Sequence, residues 1–318
     1  MLSANAFMNT PAGIVVDAGR LVDIDAGAAL FTRALGYEFW HFLIALYMAA
    51  GFTVASVYAV AWLRGRRDHY VRLAFAVPFT IAAALTPVQL VVGDLAARAL
   101  ADDQPAKFAA MELTWTTRDH NPEVVLGWLD SSGDVHLGLA IPSLNSLLVG
   151  YSPDTVIHGL TEFAADARPT IIETNLTHLA FDLMVGLGTV GAGLAAWYFW
   201  LLTRTRRLPD SVWFYRLAAL AGAGCYVAVE AGWVTTEVGR QPWIVYNLMR
   251  VSDAVTDAPA SYVWGMLATL VLVYAVIAYF FFAVLRMLAA RWRDVDARVA
   301  PEEGVPYGPR PRELGHGP

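Results

Sequence analysis

Five stretches of this chain are long enough and apolar enough to cross a lipid bilayer, and that feature excludes most folds otherwise open to 318 residues. Inside hydrocarbon every backbone N–H and C=O must be satisfied within the polypeptide, and about 20 helical residues cover the thickness. The stretches run from about Phe39 to Leu63, Leu73 to Gly93, Leu183 to Thr203, Leu217 to Thr236 and Ala258 to Leu285. The fold class expected is therefore all-α, a polytopic transmembrane helix bundle. Composition agrees, because 57% hydrophobic residues, 16% charged residues and a mean hydropathy of +0.47 lie outside the range of soluble domains.

Charge placement predicts the topology. Arg64, Arg66 and Arg67 separate the first two spans, Arg204, Arg206 and Arg207 separate the third and fourth, and Arg286, Arg291 and Arg293 follow the fifth. Arginine-rich connections stay in the cytoplasm, so the chain is expected in the cell membrane with its N-terminus outside and its C-terminus cytoplasmic. The organisation that follows is an extracytoplasmic tail over 1–36, a helix pair over 37–97, and a large extracytoplasmic loop over 98–175. Three helices then occupy 176–292, and a proline- and glycine-rich cytoplasmic tail over 293–318 is expected to be disordered. Within the large loop, the apolar repeat of Phe108, Met111 and Trp115 predicts an amphipathic surface helix over 101–118. A tail that begins outside without a signal-peptide pattern implies polypeptide upstream. A formal charge of −6 offers no basic face for nucleic acid.

Ionisable or ligating side chains at membrane depth are costly, so His41, Met184, Glu230 and Glu237 are functional candidates. His41 and Met184 sit at matching depth near the outer boundary of two different spans, an arrangement that can clamp an iron from both sides. On these residues alone, a hydrogen-bonded structural histidine and a packing methionine remain open. Glu230 and Glu237 are seven apart and share a helix face, where they suit a proton path, a metal, or, for Glu237, a salt bridge to Arg240. The single Cys225 leaves no intrachain disulfide and no cysteine-rich metal site.

The run Ala231-Gly232-Trp233-Val234-Thr235-Thr236-Glu237-Val238-Gly239-Arg240-Gln241-Pro242-Trp243 closely resembles the GRQPW signature of cytochrome bd oxidase subunit I, with its upstream GW and Glu. Gln104-Pro105-Ala106-Lys107-Phe108-Ala109-Ala110-Met111-Glu112-Leu113-Thr114-Trp115 is similar to the family's QPxKxAAxExxW segment at the start of its quinol-binding loop. Phe39-Trp40-His41 with Gly51-Phe52, and the segment from Phe181 to Gly188, extend the resemblance to about residues 5 to 290.

The resemblance implies a haem-binding subunit that oxidises quinol at the outer face and passes electrons towards an oxygen-reducing haem. It implies His41 and Met184 as axial ligands of a low-spin haem b and Glu237 as ligand of a high-spin haem b. Trp233 is expected near the latter, Arg240 at haem propionates, and Lys107 and Glu112 in quinol oxidation. A carboxylate and an ammonium at the outer face suit that step, because quinol gives up protons with its electrons. Family members have nine spans, so the chain is expected to lack the first four, to share the high-spin haem b and haem d with them, and to work with membrane lipid, subunit II and a separate polypeptide carrying the missing spans. Asp182 stands where some members have arginine. A truncated gene fragment, or a non-enzymatic membrane haem or transport protein, are the other readings; a transporter would show paired helix breaks in two repeats, and none is seen.

Overall fold

The structure, a computed structural model, describes residues 1–17 and 20–298. Two compact units divide the chain, Met1–Ala254 and Val255–Pro318. Among the described residues, five helices are long and apolar enough to span a membrane, as expected. Four belong to the first unit: α3 (Arg33–Leu63), α4 (His69–Asp103), α7 (Ile171–Thr205) and α8 (Val212–Gly239). In the second unit the described residues include one helix, α9 (Ala260–Arg298). The backbone is thus helical through 293–298, and the rest of the tail expected to be disordered lies outside the described residues.

Ahead of α3 come α1 (Leu2–Asn9), the antiparallel pair β1 (Ile14–Asp17) and β2 (Arg20–Ile24), and α2 (Ala26–Leu30). Between α4 and α7 lie α5 (Pro105–Met111), β3 (Glu123–Val125), β4 (Trp128–Leu129), β5 (Val135–His136), β6 (Leu139–Ile141) and α6 (Leu144–Gly150). There β3 pairs with β6 and β4 with β5, both antiparallel. A last short pair, β7 (Trp243–Val245) and β8 (Met249–Arg250), follows α8.

The helices outrun the apolar stretches because their polar ends are capped or engaged. Asp68 caps α4 through Val71 N–H, and Thr170 with Glu173 forms a reciprocal capping box at the start of α7. The surface helix expected over 101–118 is not formed. Span two continues to Asp103, the backbone breaks at Gln104, and Pro105 opens the seven-residue α5, whose residues from Ala106 to Met111 are buried. Proline at the first turn is pre-set for helix entry, and an inward-facing Lys107 replaces the polar surface that the sequence pattern implied.

The core of the four-helix unit is aromatic at the arginine-rich end. Trp62 stacks on Tyr215 with ring centroids 3.9 Å apart, and Phe75, Phe79, Tyr198 and Phe214 pack around them. Towards mid-bundle, small residues bring backbones together on two sides of α3. A Cβ at Gly51 would stand 2.8 Å from the carbonyl oxygen of Pro78 on α4, and one at Gly222 of α8 would stand 2.7 Å from Cα of Thr53. Ser56 Oγ donates to the carbonyl of Ala218 at 2.9 Å and lies 3.1 Å from Gly222 N. Gly222→Leu is accordingly expected to lower bundle stability by about 1–3 kcal/mol, since a well-packed contact has no room for a branched side chain. Thermal unfolding in detergent checks this, and an unchanged midpoint would contradict it.

Candidate functional site

The chain order makes α3 and α7 begin, and α4 and α8 end, on one side of the bundle, with α5 set among them. Buried polar atoms collect there, in three groups.

The first surrounds Lys107. Its stem lies against Gly239, where a Cβ would stand 3.0 Å from Lys107 Cγ and 2.9 Å from Thr177 Cγ2, so only glycine lets α5, α7 and α8 converge. Burial pushes the ammonium pKa down to about 7, with the Arg240 charge adding to the effect, against the opposing pull of Glu38 and Glu237. Arg240 is itself only 3% exposed; it pairs with Glu237 and donates to Asn5 Oδ1 at 3.1 Å and Asn9 Oδ1 at 3.4 Å. Asn9 in turn donates to Glu38 Oε1 at 2.7 Å, and its carbonyl accepts from Gln104 Nε2 at 3.1 Å. Helix α1 therefore supplies two of the partners that hold Arg240 in place.

The second group surrounds Glu112, the residue that ends α5. Lys107 and Glu112 do not meet: the five-residue separation turns them to different neighbours, and Glu112 faces Glu123 at the start of β3. Burial raises the pKa of Glu112 well above the usual carboxylate range, and Glu123 and Asp182 push it in the same direction. Asp182 accepts from Leu126 N–H at 2.5 Å and lies 3.3 Å from His178 Nε2. His178 Nδ1 is 2.8 Å from the carbonyl oxygen of Met111, so it is the protonated nitrogen, and Nε2 accepts from Gly127 N–H at 3.2 Å.

The third group contains the expected ligands. His41 on α3 faces α4: Gln89 Nε2 lies 3.2 Å from Nδ1 and 3.3 Å from Nε2, and a Cβ at Gly93 would stand 3.3 Å from Cε1. Met184 on α7 faces α8, where a Cβ at Gly232 would stand 3.0 Å from Sδ. Trp233 meets Phe42 edge-on at 5.9 Å, joining α8 to α3 beside these donors. An imidazole and a thioether, each against a glycine and carried by different helices, form a donor set that fits a low-spin haem. Gly186 and Gly188, flanking that stretch of α7, have open space where a side chain would be. Glu237 is half exposed, with one oxygen taken by Arg240, so its other oxygen is what it can offer a metal. Arg240 keeps only Nε unpaired, which limits what it can offer a propionate. Glu230, the other candidate carboxylate, is exposed on α8.

Several buried atoms at this end have no hydrogen-bond partner: Glu38 Oε2, Gln89 Oε1, Gln104 Oε1, Glu112 Oε2, Thr177 Oγ1 and Arg240 Nε. Leaving such a group unpaired costs about 1–3 kcal/mol, so a concentration of them marks a place built for a polar ligand. The sequence pattern missed Glu38, Asn9, Glu123 and His178. The capping box at Thr170 and Glu173 was the local signal that would have put His178 on a helix facing the loop.

Residues 1–292 match the family model described as cytochrome bd terminal oxidase subunit I. The chain is similar to a chain in the solved structure of bd oxidase from Geobacillus thermodenitrificans, with a TM-score of 0.81 and 34% identity over 91% of this chain and 66% of that one. It is 29% identical to a Bacillus subtilis protein provisionally named cytochrome bd menaquinol oxidase subunit I, over 87% of this chain and 65% of the relative. The cytochrome bd ubiquinol oxidase subunit 1 of Bacillus subtilis is 26% identical, over 80% of this chain and 56% of the relative. The chain thus spans between about half and two thirds of the length of these relatives.

Proposed function

The chain belongs to the cytochrome bd terminal oxidase subunit I family, and from that premise we propose that it forms the electron-entry part of a membrane quinol oxidase. The observation that carries the reading is the gathering of partnerless buried polar atoms around Lys107 and Glu112, at the same end of the bundle as His41 and Met184. Glu38 precedes His41 by three residues and Asp182 precedes Met184 by two, so each polar group lies within about one helical turn, roughly 5 Å of rise, of a ligand.

In this reading quinol binds between the loop that follows α4 and the ends of α3 and α7. One quinol oxygen meets Lys107, which is neutral above its lowered pKa and can accept a hydrogen bond or a proton. The other meets Glu112, a carboxyl in a water-poor setting where proton transfer over a short distance is efficient. His41 and Met184 hold a low-spin haem b, which supplies one-electron transfer when bound. Glu237, which keeps one oxygen free of Arg240, would hold a high-spin haem b, with Trp233 as a neighbour. In the same reading the chain works with subunit II, a shared oxygen-reducing haem d and a polypeptide that supplies further spans. The arginine-rich end faces the cytoplasm and the quinol end faces out, so protons are released on the outer side.

The pH dependence tests the role of Lys107. A lysine with its pKa lowered to about 7 is charged below that pH and neutral above it, so quinol oxidation is expected to rise as pH increases through about 7. Lys107→Met removes that limb and lowers the rate about 100-fold, while the haem spectrum stays unchanged. A Lys107→Met oxidase that keeps the wild-type limb would show that another group produces it.

A further inference from the structure

Glu112 is brought against a second carboxyl, that of Glu123, for which neither role implied by the resemblance nor packing gives a reason. Glu112 is 5% exposed, and its Oε2 has no partner. The other charged groups nearby do not neutralise the pair. On α7, Asp182 adds a further negative charge, and His178, one turn earlier, presents to it a nitrogen that already accepts from Gly127 N–H. Lys107, Arg240, Glu237 and Glu38 form the separate group described above. Arg118 is held by Asn121 Oδ1 at 2.8 Å, Arg168 by the carbonyl of Leu160, and Glu162 by Thr117 and His158. Two neighbouring carboxylates, one of them buried and neither facing a free cation, cannot both stay ionised. One proton shared between them removes the repulsion and gives the unpaired oxygen a partner.

We propose that Glu112 and Glu123 form a proton-sharing carboxyl pair, and that Glu123 is the positioning residue through which Glu112 receives the quinol proton and passes it on. The inference rests on the reading of Glu112 as a quinol-oxidation residue. In the resting pair the proton lies on Glu112, the more buried carboxyl, which donates to the Glu123 carboxylate. A quinol hydroxyl transfers its proton to Glu112 as Glu112 passes its own to Glu123, which leaves quinol anion and two protonated carboxyls. Glu123, the less buried of the two and at the start of β3, loses its proton to water, and the remaining proton returns to the shared position. One proton enters and one leaves, and no electron moves in this step. The pair titrates as a unit, so its apparent pKa values belong to both residues.

The test uses the assembled oxidase in native membranes, comparing wild type with Glu112→Gln, Glu123→Gln and Glu123→Asp. Steady-state quinol oxidation is measured against pH, together with reduced-minus-oxidised visible spectra and redox-induced infrared difference spectra. Glu123→Gln is expected to keep the haem spectrum and the KM for quinol, and to lower kcat roughly ten- to hundred-fold. A protonated-carboxyl C=O band should disappear in Glu123→Gln and in Glu112→Gln alike, and return at a shifted position in Glu123→Asp. Should Glu123→Gln fail to assemble, Glu123→Asp decides by itself: a shifted band supports the pair and an unmoved one overturns it. Wild-type kcat and band in Glu123→Gln overturn the proposal while leaving Glu112 in its role, provided that Glu112→Gln is slow. Wild-type turnover in Glu112→Gln would instead remove the reading on which the proposal stands.

Discussion

His41→Ala abolishes the low-spin b-type band in the reduced-minus-oxidised spectrum of the assembled oxidase, whereas Glu112→Gln keeps that band and loses quinol oxidation. The expected contrast is all or nothing because the two side chains occupy different positions and do different chemistry. His41 brings an imidazole to a bare backbone face of α4, and alanine leaves at that position no atom able to bind iron. Water and a lone thioether from Met184 would not restore a low-spin site. Glu112 touches none of this: it ends α5 and faces Glu123, so an amide of the same shape preserves the fold while removing the proton acceptor. Met184→Leu should also remove the low-spin signature, while leaving the imidazole able to retain some haem. The measurement is a visible difference spectrum of membranes with equal amounts of protein. Equal loss of haem in His41→Ala and Glu112→Gln would overturn the division of roles.

Arg240→Met should be nearly as severe, but through assembly instead of chemistry. Arg240 is almost wholly buried and binds Glu237, Asn5 and Asn9 together. Its removal leaves Glu237 and Glu38 near each other with Lys107 as their counter-charge, an amine that burial still pushes towards the neutral form. Truncating one member of a fully buried charge pair typically costs about 3–5 kcal/mol; the cost here is expected to be smaller, because Glu237 is half exposed and water can take over part of the lost pairing. Arg240→Lys is expected to rescue little, since a point charge cannot reach three partners that a planar fork serves. Arg240→Met with Glu237→Gln should recover part of the loss. Thermal unfolding in detergent and the yield of assembled protein decide the matter. A double variant no more stable than the single one would mean that Glu237 is not the group left stranded.

How far the fold could be read from the sequence depended on where each residue found its partner. Spans were legible because burying apolar side chains in lipid needs no particular neighbour, so the hydrophobic runs alone placed all five helices. Their ends were not. The residues from Ile171 to Asn175 carry Thr174 and Asn175 and read as the end of the loop, yet they extend α7 by more than a turn. Their polar groups are satisfied by the loop: Asn175 accepts from Leu129 N–H at 2.7 Å and donates to the carbonyl of Leu129 at 2.8 Å. Nothing local announces a partner 46 residues away. The same reason separates the site residues. His41, Met184 and Glu237 stood out as polar or ligating groups within apolar runs, and the GRQPW and QPxKxAAxExxW matches added Lys107, Glu112 and Arg240. Asn9, Glu38 and Glu123 lie in unremarkable polar surroundings, and only the folded chain brings them to Arg240, Lys107 and Glu112.

The grip of glycines on both sides of α3 bears on how the protein lives in membranes of different thickness. Helices α3, α4, α7 and α8 contain 31, 35, 35 and 28 residues, about 42 to 53 Å of helix against hydrocarbon roughly 30 Å deep. A loosely packed bundle would absorb a change in lipid chain length by tilting its helices one at a time. Here Gly51 fixes α3 against α4 and Gly222 fixes α8 against α3, so a single helix cannot lean without opening a backbone contact. Adaptation to growth temperature or lipid supply must then fall on the bilayer, which thins or thickens around the protein, while the spacing of the groups inside is preserved.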